Sequence, residues 1–395
     1  MKVQIKAKAE ETFERVQAYR RHLHMHPELS FQEHETARWV SEIVQSLHLK
    51  VSTGIAGTGV VAEIEGKNPT TRTVALRADM DALPITEQNK VPYASLKPGV
   101  MHACGHDVHT ASLLGAAHIL SELSDSFEGT VRLVFQPGEE RLPGGASRMI
   151  RDGVLQNPVP TAMIGQHVMP QLQAGKVGFR AGRYMASTDE LYITITGKGG
   201  HAATPELCVD PVSISAQIIV ALQQIVSRIA SPKTPSVLSF GKVLAQGATN
   251  VIPNEVYIEG TFRTMDETWR EIAHKRMVEI ATAIATSMGA ECQFEVRRGY
   301  PVLDNHPILT RHLKNAAMEY MGEALVTDLD LWMAAEDFAY YTHHVPSCFY
   351  RLGTRNEAKG IVSGVHTPTF DIDESALAVG SGLMAWLAIS ALTNP

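Results

Sequence analysis

Residues 102–109 read His-Ala-Cys-Gly-His-Asp-Val-His and carry three imidazoles, one thiol and one carboxylate in eight positions. They stand just before an apolar run, residues 111–120, that reads as a helix. A thiolate is a soft donor and an imidazole a borderline one, so Cys104 and His106 together suit zinc or a similar first-row ion. An isolated Cys-x-His would read more simply as a His-rich loop with a buried cysteine. Further His and Glu residues recur at matching places along this chain, and they favour a metal site.

Those places are set by a β/α alternation. Residues 73–77 read as a buried strand and lead into Asp79 and Asp81. Residues 130–135 form a second and end in Gln136-Pro137-Gly138-Glu139-Glu140; residues 161–165 form a third and end in Gln166-His167. Ligands of an open α/β sheet bind outside the carboxyl ends of its strands. Three successive strands therefore deliver Asp79/Asp81, Glu139/Glu140 and His167 to one edge. Before them, residues 9–26 and 33–48 show helical spacing, with Ser30 to Glu33 placed as an N-cap box. His22, His24 and His26 do not share a helix face and read as surface residues.

From about residue 186 the texture becomes that of an α+β unit. Period-two strands at 190–196, 237–243, 255–264 and 292–296 alternate with helices at 211–229 and 267–288. After residue 298 the α/β texture resumes, with a helix at 306–321, a strand at 348–352 and a helix at 374–392; His366 lies between the last two. The expected architecture is a catalytic α/β domain from residues 1–185 and 298–395, with a mainly parallel sheet flanked by helices. A lid or dimerisation unit of four strands and two helices, residues 186–297, is inserted into it.

Cys104, His106, Glu140, His167 and His366 make five donors, too many for one catalytic zinc, which takes about three and keeps a position open. They suit two ions about 3.5–4 Å apart with a shared ligand, for which the thiolate of Cys104 is the candidate. Adjacent carboxylates cannot take the same geometry: one can bind metal, with Glu140 counted as the candidate, while its neighbour stays free as general base. Asp79 and Asp81 are assigned to orienting a ligand imidazole or the metal cluster from behind.

Residues 76–84 (Leu-Arg-Ala-Asp-Met-Asp-Ala-Leu-Pro), the His/Cys cluster, Gln136 to Glu140, and Gly197-Lys198-Gly199-Gly200-His201 occur together in this chain. So do Thr249 to Asn254, Glu336-Asp337-Phe338, and the flanking segments His26 to Ser30 and His366 to Phe370. With these motifs the chain resembles, over nearly its full length, the dinuclear-metal aminoacylase/carboxypeptidase superfamily. The likeness is to its amidohydrolase branch, with hippurate, N-acyl-amino-acid and auxin-conjugate hydrolases. The resemblance implies the same five ligands and the same base, Glu139. It implies that His201, on the inserted unit, holds the substrate carbonyl as it becomes an oxyanion, and that Asn250 and Arg263 grip the substrate. It also implies two divalent ions (zinc or manganese, otherwise cobalt or nickel) and a homodimer or higher homo-oligomer. The expected reaction is hydrolysis of small N-acyl amino acids. The same site in a carboxypeptidase or dipeptidase is the alternative, and a metal-binding protein without activity a remoter one. Glu139 argues against the last, since binding alone needs no base. Two positions depart from the pattern. Gly138 stands where alanine is usual, a change expected to matter little, and Glu206 where histidine is usual.

Composition excludes other classes. The 395 residues are 44% hydrophobic and 19% charged with a formal net charge of −7, which describes a globular chain without the basic stripe of a nucleic-acid binder. Residues 55–62 carry a Gly-x-Gly but run into a strand rather than a helix, so no dinucleotide loop is read there. No phosphate-binding GxxxxGK loop and no GxSxG elbow occurs. The first residues lack the apolar core of a signal peptide, no apolar run is expected to span a membrane, and four scattered cysteines suit a reducing cytoplasm.

Overall fold

The computed structural model describes residues 1–393. The chain forms two compact units, one of Met1–Gly182, Asp304–Leu331 and the residues from Asp337 onward, the other of Arg183–Leu303 and Trp332–Glu336.

The first unit is built on an eight-stranded sheet in the order Lys50–Ile55, Gly59–Glu65, Thr130–Gln136, Thr73–Asp79, Ala162–Gln173, Ser347–Arg355, Val177–Phe179, Val326–Asp328. Its four central neighbours, from Thr130–Gln136 to Ser347–Arg355, are parallel, and the Lys50–Glu65 hairpin extends one side antiparallel. Thr73–Asp79 and Thr130–Gln136 are buried at every position, as parallel strands covered on both faces must be. The helices His106–Glu122 and Ala376–Thr393 pack on each other within this core, and Phe13–Met25 packs on the first of them. Ala376–Thr393 carries no charged residue over its 18 positions and is long and apolar enough to cross a membrane by composition, although Ser381 and Ser390 interrupt its apolar run. Its sequence is apolar all round because 78% of it is buried inside the fold.

The second unit has a four-stranded antiparallel sheet, Ser236–Leu244, Glu255–Thr264, Asp189–Thr196, Glu291–Arg298, with the helices Pro211–Leu222 and Glu267–Ser287 packed on it. Leu191, Ile193 and Ile195 alternate inward from one strand to meet Ile214 and Ile218 of the first helix and Met277 and Ala281 of the second. The helix expected over 211–229 stops at Leu222 and continues only as a wider turn, Ile225–Ile229.

Three local expectations are corrected. The N-terminal helix begins at Lys2, not residue 9, and is interrupted at Thr12, whose hydroxyl bonds back to the Lys8 carbonyl at 2.8 Å. Ser30 and Glu33 do not cap the helix His34–Ser46; the Glu28 carboxylate accepts its Thr36 N–H at 2.8 Å instead, and the side chains of Ser30 and Glu33 turn elsewhere. His24 is not a surface residue. It is wholly buried, with Nδ1 2.7 Å from Asp107 and Nε2 3.2 Å from Glu87.

The fully buried Arg20 joins His24 in this network, donating to Asp107 at 2.8 Å and to Asp371 at 2.9 Å. Removing one partner of a buried ion pair leaves an uncompensated charge. Arg20→Ala is therefore expected to destabilise the protein by about 3–5 kcal/mol, read by chemical denaturation; a loss below about 1 kcal/mol would show that the network contributes little.

Candidate metal centre

The five sequence-predicted donors converge in the first unit. Cys104 lies in the loop before the helix His106–Glu122, and His106 is that helix's first residue. Gly105 between them adopts φ +88°, and a Cβ there would come within 2.5 Å of Val168, so the tight turn that aims both donors inward requires glycine. Glu139 and Glu140 follow Thr130–Gln136 as expected. His167 differs: its strand does not end there but runs on to Gln173. Pairing with Thr73–Asp79 stops at Gly165, while on its other side His167 still pairs, with Arg351 of Ser347–Arg355. His366 takes φ +61°, uncommon for a non-glycine residue, and its N–H bonds the Ala103 carbonyl at 2.7 Å, which ties its loop to that of Cys104.

The donor atoms form two groups that share Cys104. One is Cys104, His106 and His167; the other is Cys104, Glu140 and His366. Sγ of Cys104 is 3.4 Å from His167 Nε2 and 3.3 Å from His366 Nε2. Glu140 Oε1 is 3.1 Å from His366 Nε2 and 3.9 Å from His106 Nε2. Donors around one ion with bonds of 2.0–2.3 Å are separated by about 3.3–3.8 Å in a tetrahedral shell, so the spacing fits. His106 Nε2 and Glu140 Oε1 are both buried, the first without a hydrogen-bond partner and the second facing His366 Nε2, so both point into the cluster. Soft, borderline and hard donors together fit a first-row divalent ion.

The surroundings orient these rings. Asp81 lies 3.2 Å from His106 Nδ1, so that nitrogen carries the proton and Nε2 keeps its lone pair. His167 Nδ1 bonds the Val168 carbonyl at 2.8 Å, with the same consequence. The third histidine is different. His109 Nδ1 is 2.6 Å from Asp79, and its Nε2 accepts the Val168 N–H at 2.9 Å, so neither nitrogen is available. His102 is buried with both ring nitrogens unpartnered, and burial lowers it to about 4.

Electrostatics point the same way. Burial alone would lower His106, but Asp79, Asp81 and Glu140 raise it to about 10. Burial, then Glu140 and Glu139, push the Cys104 thiol well up. The carboxylates thus demand positive charge at this point.

Sequence reading missed the frame behind the donors. Arg77 donates to Asp79 at 2.6 Å and to Asp337 at 2.7 Å; Gln136 and the Ala146 N–H also donate to Asp337. The Asp337 N–H in turn donates to Glu139 at 3.3 Å. The available signal was an arginine inside a strand that otherwise reads as buried.

In the second unit, His201 and Asn250 come together. Val251 pairs with His201, and the Ala202 N–H bonds the Asn250 carbonyl at 3.0 Å. Both are exposed. His201 Nδ1 accepts the Ala203 N–H at 3.1 Å, so Nε2 carries the ring proton. Arg263 stands apart, near the far end of Glu255–Thr264, where it donates to the Met333 carbonyl at 3.2 Å. Among the described residues no carboxylate pairs with it, and burial lowers its pKa.

Two donor groups with a shared thiol, beside carboxylates at the carboxyl edge of a parallel sheet, define a hydrolytic metalloenzyme. The chain belongs to peptidase family M20/M25/M40, whose model matches residues 75–389. It is 47% identical over 305 residues to an N-acyl-L-amino acid amidohydrolase of Geobacillus stearothermophilus, covering 77% of this chain and 81% of that one. It is 38% identical over 374 residues to thermostable carboxypeptidase 2 of Saccharolobus solfataricus, covering 94% and 93%. Among solved structures, a dinuclear metal binding peptidase of the M20 family from Bacillus subtilis, YXEP, superposes with a TM-score of 0.84 at 36% identity, covering 98% of this chain and 100% of that one.

Proposed function

We propose that the protein hydrolyses the amide bond of small N-acyl amino acids, giving a carboxylic acid and a free amino acid, with two divalent ions held at the Cys104 cluster. The observation that carries this reading is the membership of Cys104 in both donor groups. His106 and His167 would hold one ion, Glu140 and His366 the other, and the thiolate of Cys104 both. Zinc or manganese suits the mixed donors, and a thiolate ligand with four unpaired cysteines suits a reducing cytoplasm.

Ions bound there would lower the pKa of a water and polarise the amide carbonyl. The chain supplies the rest. Glu139, held through the Asp337 N–H, takes the proton of the attacking water and delivers it to the leaving amine. The protonated Nε2 of His201 donates to the carbonyl oxygen as it gains charge, a contact worth about 2.7–4 kcal/mol in comparable oxyanion sites. Arg263, a half-buried cation without a carboxylate partner among the described residues, receives the substrate carboxylate, and Asn250 hydrogen-bonds the substrate beside His201. A carboxypeptidase reading shares every one of these steps and is favoured by the carboxypeptidase relative. A matched panel of N-acyl amino acids and dipeptides, assayed on metal-loaded protein, separates the two.

Glu139→Gln is expected to keep both ions and lose nearly all turnover, whereas Cys104→Ala loses metal at both positions. Metal analysis of the purified variants decides the assignment: metal loss in the first variant would exchange the roles of Glu139 and Glu140, and two retained ions in the second would make Cys104 a packing residue.

For the substrate, free acids are expected to be cleaved far better than their carboxyl-amidated counterparts, and Arg263→Ala is expected to erase that preference. Equal rates on both in the wild type would remove the carboxylate anchor and point to a broader amidase.

The inserted unit also supports a dimer. Val212 and Val220 are exposed on the helix Pro211–Leu222, and Val243 and Leu244 on the edge strand Ser236–Leu244. Eight residues of strand separate Arg263 from Glu255, near the His201 end, a span of about 27 Å at 3.4 Å per residue. The carboxylate and scissile carbonyl of one amino acid are only three bonds apart, so Arg263 and His201 of one chain cannot serve one substrate. We take His201 as the group that a second copy would supply. Mixing inactive Glu139→Gln and His201→Ala chains, with subunit exchange, is therefore expected to restore activity. A monomeric mass in sedimentation, or mixtures as inactive as their parents, would overturn the shared site.

A further inference from the structure

The segment from Ser30 to Glu33, expected to cap a helix, instead reaches the loop that carries Glu139 and Glu140. Glu33 is wholly buried. Its Oε1 accepts the Phe31 N–H at 2.9 Å and the Gly138 N–H at 2.8 Å, and its Oε2 accepts the Thr58 hydroxyl at 2.7 Å. One carboxylate thus joins its own turn, the hairpin after Lys50–Ile55, and a loop 105 positions away. Ser30 makes a parallel link: its hydroxyl donates at 2.6 Å to the Asp81 oxygen that also accepts the Glu140 N–H at 2.9 Å. Phe31 fills the space between. Gly138 takes φ +61°, and a Cβ on it would run into the Phe31 ring, whose face is covered by the Arg148 guanidinium at 3.9 Å.

We propose that Glu33, with Ser30 and Phe31, is a positioning clamp that fixes the backbone of Gly138 to Glu140, and so sets the direction of the base and of a metal-ligating carboxylate. The clamp's function rests on the reaction proposed above; its geometry does not. Backbone N–H groups on both sides of Glu139 are bonded through it, at Gly138 directly and at Glu140 through Asp81. Residues that orient ligands from behind change metal affinity or activity by about 10–100-fold when removed. Acceptor geometry, not charge, is what the clamp uses. Burial and the neighbouring Asp81 already push Glu33 up to about 7. A glutamine can keep both N–H contacts through its oxygen while its amide donates to Thr58.

The test uses the full chain and two readouts. Hydrogen exchange at the Gly138 amide is followed in metal-free protein, and kcat, KM and metal affinity in loaded protein. Glu33→Ala is expected to speed Gly138 exchange at least roughly tenfold and to lower kcat by about 10–100-fold, with KM changed less than about twofold. Glu33→Gln should restore both to within about threefold. Should the alanine variant fail to fold, Glu33→Asp, whose carboxylate is withdrawn by one methylene, is expected to show the same two changes. Unchanged Gly138 exchange in the variants would overturn the contact, and faster exchange with unchanged kcat would overturn its positioning role, as would a glutamine variant as impaired as alanine. A wild type without turnover on any substrate would strike the proposed reaction instead, while the exchange result would still decide the clamp.

Discussion

Burial of several carboxylates along one sheet edge is the constraint on which the rest of the first unit depends. Asp79, Asp81, Asp107, Asp337 and Glu33 are all at most 1% exposed. An ionised carboxyl in such surroundings persists only if donors surround it. The donors come from distant parts of the chain: Arg77 and Gln136 from strands, Arg20 from the second helix, Ala146 from a short helix, and Gly138 and Glu140 from the loop itself. Burial pushes Asp79 up, yet His106, Arg77 and His109 hold it well below the ordinary carboxylate range. Each acid is thereby a strut, and the ligand loops are located by the struts rather than by their own sequences.

Sorting of the histidines follows from the same economy of partners. Val168 occupies His109 with its N–H and His167 with its carbonyl. One backbone unit therefore makes His109 an acceptor with no remaining lone pair and makes His167 a ring whose lone pair faces Cys104. Two imidazoles whose ring centroids are 4.6 Å apart acquire opposite roles without any difference in residue type. His106 is settled by Asp81 in the same manner.

Legibility in sequence divides along these lines. Elements with strong periodicity were readable, as at Thr73–Asp79, Thr130–Gln136 and the four strands and two helices of the inserted unit, because each buries one predictable face. The candidate donors that the structure brings together stood out because thiol, imidazole and paired carboxylates followed strand ends. Unreadable were contacts that join segments far apart: Arg77 to Asp337 across 260 positions, Arg20 to Asp107, and Glu33 to Gly138. Ser30 to Glu33 was misassigned because its residue types satisfy a helix cap as well as they satisfy a carboxylate loop, and only the fold chooses between them. Gly138 was undervalued for a related reason. Its difference from alanine is one methyl group in sequence but a collision with Phe31 in space.

A division of labour between buried and exposed polar groups remains to be explained. In the first unit Cys104, His106 and His167 are buried, Glu140 is half-buried and His366 exposed, and the two buried imidazoles are fixed by bonds to Asp81 and the Val168 carbonyl. In the inserted unit His201 and Asn250 are exposed, and the His201 ring is fixed by a single N–H. Exposed groups held by so few contacts keep rotational freedom that the buried imidazoles have lost. Arg263 sits between these extremes: half-buried, it donates to one backbone carbonyl, and among the described residues no carboxylate meets it, so its charge is desolvated without a counter-ion beside it.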